Sequence, residues 1–126
     1  FDLKKFTQHS WYEIARIPIP IGSDWIQTKS TYKLVSENEI HSLYEGISPS
    51  GERKTLNGKA KIKSNGFWKI SYIPLLYSDY KIIKLTEDYK NVMVTSGTID
   101  YLWIMCVEPK MEDKIYNDFL NFASAN

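Results

Sequence analysis

Few side chains in this chain are of a type and spacing that suggest chemistry: two histidines, His9 and His41, one cysteine, Cys106, and a lysine, Lys84, that falls in step with Tyr80 and Ile82. His9, His41 and Cys106 have no zinc-like spacing, and a lone cysteine forms no disulfide within the chain. There is no Gly-x-Ser-x-Gly elbow to expose a nucleophilic serine and no Gly-rich phosphate loop. His9 stands at a strand entrance and His41 at an outward strand position, so both read as surface residues. Catalysis, a structural metal and a cofactor are not expected.

Lys84 is the more informative cation. Period 2 along a strand carries it to the side of Tyr80 and Ile82. If that side faces an enclosed interior, its ammonium meets a ligand carboxylate. If it lies near a rim, the long side chain snorkels to solvent instead.

The elements that position these residues are short strands. With 126 residues the chain has room for one core, and we expect a single domain over 1–126. Sixteen basic and fifteen acidic residues, for a net charge of +1, leave no basic patch for nucleic acid. No apolar run reaches the ~20 residues of a spanning helix. No signal-peptide pattern opens the chain, which starts as a mature form does once an export segment has been removed. Nine Tyr, five Phe and four Trp are too many rings to leave in water, so many of them must line something.

Alternation and turn residues mark eight strands, approximately at Trp11 to Ile19, Gln27 to Val35, Glu39 to Ile47, Lys54 to Lys63, Phe67 to Ile73, Asp79 to Leu85, Asn91 to Thr95 and Tyr101 to Val107. Eight strands joined mostly by short turns suit an all-β, up-and-down antiparallel barrel, because closure removes the sheet edges. The period then changes to 3.6, with Met111, Ile115, Phe119 and Phe122 forming a stripe that a C-terminal helix presses against the outside of the barrel. Glu112 and Asp113 fall in its first turn, where the helix dipole favours negative charge.

Faces follow from the same alternation. Trp68, Ile70 and Tyr72 face inward against Lys69 and Ser71, and Leu56, Gly58, Ala60 and Ile62 face inward in the fourth strand. The second strand contributes Ser30, Tyr32 and Leu34, the third Ile40, Ser42 and Tyr44, and the sixth Tyr80, Ile82 and Lys84. The last strand is apolar on both faces, and placing Tyr101, Trp103 and Met105 inside is one of two choices. Small inward residues (Ser30, Ser42, Gly58, Ala60) among large aromatics suggest unfilled space, although small residues packed opposite large ones give the same pattern. The Pro-rich stretch Ile17 to Trp25, with Ile17, Ile19, Ile21 and Trp25, reads as a mouth loop that guards the entry or touches a membrane or partner, or simply packs over the barrel.

Trp11-Tyr12-Glu13-Ile14-Ala15-Arg16, Gly58-Lys59-Ala60, Asp88-Tyr89 and Asp100-Tyr101-Leu102-Trp103-Ile104 resemble, in order and spacing, the lipocalins, and within them the bacterial and apolipoprotein D branch. The resemblance covers essentially the whole chain. It implies non-enzymatic binding and carriage of a small hydrophobic ligand, of the fatty acid or lysophospholipid class, and export to the periplasm or outer membrane. The ligand-lining set on this reading is Ser30, Tyr32, Ser42, Tyr44, Ala60, Trp68, Ile70, Tyr72, Tyr80, Ile82, Lys84, Tyr101, Trp103 and Met105. Lipocalin-type prostaglandin synthases use a cavity cysteine, but alternation points Cys106 away from the interior. An enzyme acting on bound lipid and a filled barrel serving as an interaction module are the alternatives.

Two positions depart from the family pattern. His9 replaces the usual Gly before the strand-one Trp, and Val107 replaces an Arg that packs over that Trp. Trp11 is expected to be buried at the closed end, its indole N–H bonded to some other acceptor.

Overall fold

The computed structural model describes residues 1–16, 25–73, 76–96 and 102–125. Eight strands, β1 (Trp11–Arg16), β2 (Ile26–Leu34), β3 (Glu39–Ile47), β4 (Arg53–Ser64), β5 (Phe67–Ile73), β6 (Leu76–Leu85), β7 (Asn91–Thr95) and β8 (Leu102–Cys106), are flanked by a short helix α1 (Leu3–Phe6) and a longer one, α2 (Asp113–Ala125). The strands close in sequence order into one barrel, with β1 pairing antiparallel to both β2 and β8. This is the expected up-and-down architecture. β6 begins three residues earlier than expected, and the expected strand residues 17–19 and Tyr101 lie outside the described residues.

Antiparallel alternation sends the β2–β3, β4–β5 and β6–β7 connections to the same end of the barrel as α1, and the β3–β4 connection to the opposite end, the mouth. At the α1 end, the turn after β6 places Tyr89 at φ 57, and its hydroxyl accepts the Asp2 backbone N–H at 2.8 Å. Lys5 lies 4.9 Å over the same ring, so the N-terminal segment is tied across the floor.

Two apolar clusters share the barrel wall. The inner one contains Phe6, Trp11, Tyr32, Ile40, Ala60, Trp68, Ile70, Tyr80, Val92, Val94 and Met105. The outer one, between the wall and α2, contains Met93, Ile104, Cys106, Met111 and Phe119, with Ile115 and Phe122 packed against it. β7 and β8 read as apolar on both faces because alternate residues serve the two clusters. The structure puts Trp103 and Met105 inside and Cys106 outside, beneath α2.

Simple alternation fails where a strand carries an extra residue. The pairing of β6 with β7 shifts between Ile82 and Lys84, so Lys84 pairs with Met93 of the outer layer. Its ammonium sits 4.9 Å over the ring of Phe122 on α2. The expectation that Lys84 lines the interior is therefore corrected: one inserted residue reverses the facing of every residue beyond it.

Candidate ligand site in the barrel

The floor of the barrel is a packed set of rings. Phe6 stacks on Trp11 with centroids 4.8 Å apart and meets Trp68 edge-on at 5.8 Å. Trp68 stacks on Tyr80 at 4.4 Å, and Tyr32 meets both edge-on. The Tyr80 hydroxyl donates to that of Tyr32 at 2.8 Å, so these buried phenols satisfy each other. Trp11 is fully buried and its indole donates to the Phe6 carbonyl at 2.9 Å, which is the acceptor the sequence left unnamed.

Phe6 does for Trp11 what an Arg at position 107 does in the family pattern, and Val107 adds only apolar packing beside it. His9 is exposed and is not among the residues with positive φ, so the missing Gly leaves no strain there.

Toward the mouth the interior turns polar. Trp11 and Glu13 share the inner face by period 2, and then the pairing of β1 with β8 shifts between Glu13 and Ala15. That bulge sends Ile14 and Ala15 to the outer cluster and returns Arg16 to the inside, opposite Trp103. Glu13 and Arg16 thus meet as an ion pair at 2.9 Å, although three residues apart in a strand. Glu13 Oε2 also accepts the Tyr44 hydroxyl at 2.9 Å and that of Thr28. Arg16 Nη1 donates to Tyr44 at 2.6 Å and Nη2 to the Trp25 carbonyl at 2.7 Å, while the Trp25 ring stacks on Tyr44 at 5.8 Å.

Between floor and mouth, Tyr72 reaches across to Ser42, the two hydroxyls lying 2.8 Å apart. A Cβ added to Gly58 would stand 2.7 Å from the Tyr72 ring. At this position the small residue is matched by a large one, which corrects its reading as a mark of unfilled space. Burial is the main reason the phenols stay protonated. It pushes Tyr72 up to about 12, aided by the Glu13 charge and offset in part by the Ser42 hydrogen bond. Tyr32, Tyr44 and Tyr80 are driven well above the ordinary range, again mainly by burial. Among the described residues the interior therefore offers neutral hydroxyls and the Glu13–Arg16 ion pair.

Of the residues expected to line the interior, Ser30, Tyr32, Ser42, Tyr44, Ala60, Trp68, Ile70 and Tyr80 are buried. Tyr72, Ile82 and Trp103 pack partly buried against the inner cluster, and Met105 belongs to it. Lys84 is outside, and Tyr101 lies beyond the described residues, as do Ile17, Ile19 and Ile21, which were expected in a mouth loop. Sequence reasoning passed over Glu13, Arg16 and Thr28. The parity of Glu13 with Trp11 was the available signal, whereas the bulge that restores Arg16 left none. Phe6 was missed because a four-residue helix shows no periodicity.

Comparison with known proteins agrees with this architecture. Residues 1–126 match the lipocalin-like domain family. The outer membrane lipoprotein Blc of Citrobacter freundii is 30% identical over 98% of this chain and 72% of its own length. Blc of Escherichia coli K12 is 27% identical over the same shares. Insecticyanin from the tobacco hornworm Manduca sexta superposes with a TM-score of 0.78 at 16% identity, covering 99% of this chain and 75% of its own. At that identity the likeness speaks for the fold alone. The family match and the bacterial relatives together show that this chain belongs to the lipocalin family.

Proposed function

We propose that this protein binds and carries a single small hydrophobic molecule inside the barrel, without chemical turnover, and that the ligand belongs to the fatty acid or lysophospholipid class. The reading rests on a closed barrel whose inner wall is apolar and aromatic below and polar at the mouth, an arrangement suited to a molecule with a hydrocarbon tail and a polar head. Cys106, the one thiol, lies outside the interior with its pKa raised by burial, so the wall supplies no activated cysteine nucleophile. The outer membrane lipoproteins among the relatives support export to the periplasm or outer membrane.

Displacement of an apolar fluorescent probe by a chain-length series tests the reading. Each buried methylene contributes about 0.8 kcal/mol, or roughly fourfold in affinity. Affinity should climb with length and level off once the tail meets the rings of the floor. A second reading, a filled barrel acting as an interaction module, is favoured by the contact of Tyr72 with the Gly58 position. Failure of every apolar probe to bind, with no lipid co-purifying in native mass spectrometry, would decide for that alternative.

A further inference from the structure

The carboxylate of Glu13 is used on one side only. Its side chain is 4% exposed, and Oε2 is crowded by Arg16, Tyr44 and Thr28. Oε1 is buried too, yet it has no hydrogen-bond partner among the described residues. A buried carboxylate oxygen left without a donor is costly, so such an atom marks a place where a donor from outside the protein is expected. The neighbouring donors are already committed: Tyr44 and Thr28 give their protons to Oε2, and Arg16 serves Glu13, Tyr44 and the Trp25 carbonyl.

We infer that Glu13 selects the ligand's head group, its Oε1 accepting a hydrogen bond from an O–H or N–H donor on the end of the hydrocarbon chain and disfavouring a free carboxylate. The inference rests on the carrier reading above and narrows it. A carboxylate brought to this point finds the local donors spent and a like charge facing it, whereas a hydroxyl or an ammonium finds an unpaired acceptor. Lys84, the other candidate for holding a ligand acid, lies outside the barrel.

The test compares 1-dodecanol, dodecylamine and dodecanoate as competitors of one fluorescent probe at neutral pH. The wild type should bind dodecanol or dodecylamine about tenfold or more tighter than dodecanoate. Which of the two leads tells whether the natural head is a hydroxyl or an amine.

Glu13→Gln adds a sharper readout. The three donors around Oε2 demand the amide carbonyl there, which leaves the amide NH₂ in the place of Oε1 and turns an acceptor into a donor. Dodecanol and dodecylamine should then lose about tenfold while dodecanoate gains, reversing the order. If Glu13→Gln does not fold, the order of the three competitors on the wild type decides alone. Dodecanoate binding as tightly as the alcohol and the amine, or an unchanged order in Glu13→Gln, overturns the inference while the carrier reading stands. Binding of none of the three overturns both.

Discussion

The indole of Trp11 donates to the carbonyl of Phe6 at 2.9 Å while the ring of Phe6 lies stacked on that of Trp11, centroids 4.8 Å apart. Each residue thus supplies what the other lacks, an acceptor for a buried N–H and a cover for a fully buried ring. Trp11→Ala should cost roughly 3–5 kcal/mol, mostly through the cavity it leaves. Phe6→Ala should cost about as much, and the double variant clearly less than the sum, since both remove the same contact. Thermal or urea melts of the three variants measure this. Strictly additive losses would show that the two rings do not act as a unit.

The outward position of Lys84 gives a second expectation. Lys84→Met should leave the affinities for acid, alcohol and amine unchanged and alter stability by only about 1 kcal/mol, the scale of a partly exposed cation–π contact. A selective loss of dodecanoate binding would return Lys84 to the interior.

Gly58 is hemmed in by the Ser71 carbonyl and the Tyr72 ring, both 2.7 Å from where a Cβ would stand. Because a backbone atom is one of the two, the neighbourhood gives way poorly. Gly58→Ala should cost about 1–3 kcal/mol by overpacking and disturb the bond between Ser42 and Tyr72. Unchanged melting would show that the ring moves aside freely.

The buried phenols make the fold sensitive to alkali. Tyr72 is held up to about 12 from an ordinary 10.0, and Tyr32, Tyr44 and Tyr80 are raised as well. The unfolded chain gives up these protons first, so the folded state binds more protons in that range. Stability is fully present below pH 10 and is lost as pH climbs through 12. Melts across that window, with phenolate absorbance followed alongside, should show ionisation of these groups arriving together with unfolding. Free titration near pH 10 in a native fold would contradict their burial.

The strands were legible wherever polar and apolar residues alternate without interruption. Trp68, Ile70 and Tyr72 set against Lys69 and Ser71 leave one solution, and the structure adopts it. Alternation carries no information across an inserted residue, and two such insertions mattered. One took Lys84 out of the barrel and the other brought Arg16 in. Glu13 escaped notice for a different reason: a charged residue is ordinarily assigned to water, and only its partners Arg16, Tyr44 and Thr28, drawn from three strands, make its burial tolerable. Such long-range pairing is invisible to a reading that moves along one strand at a time.

The four tryptophans run from mouth to floor: Trp25 stacked on Tyr44 at the mouth, Trp103 opposite Arg16, and Trp68 and Trp11 both against Phe6 on the floor. Indole emission responds to its immediate surroundings, so the barrel carries its own optical ruler. Variants that keep one tryptophan at a time would report how far down the axis a guest has travelled. A quencher moved carbon by carbon along an alkyl chain would then darken them in order from mouth to floor.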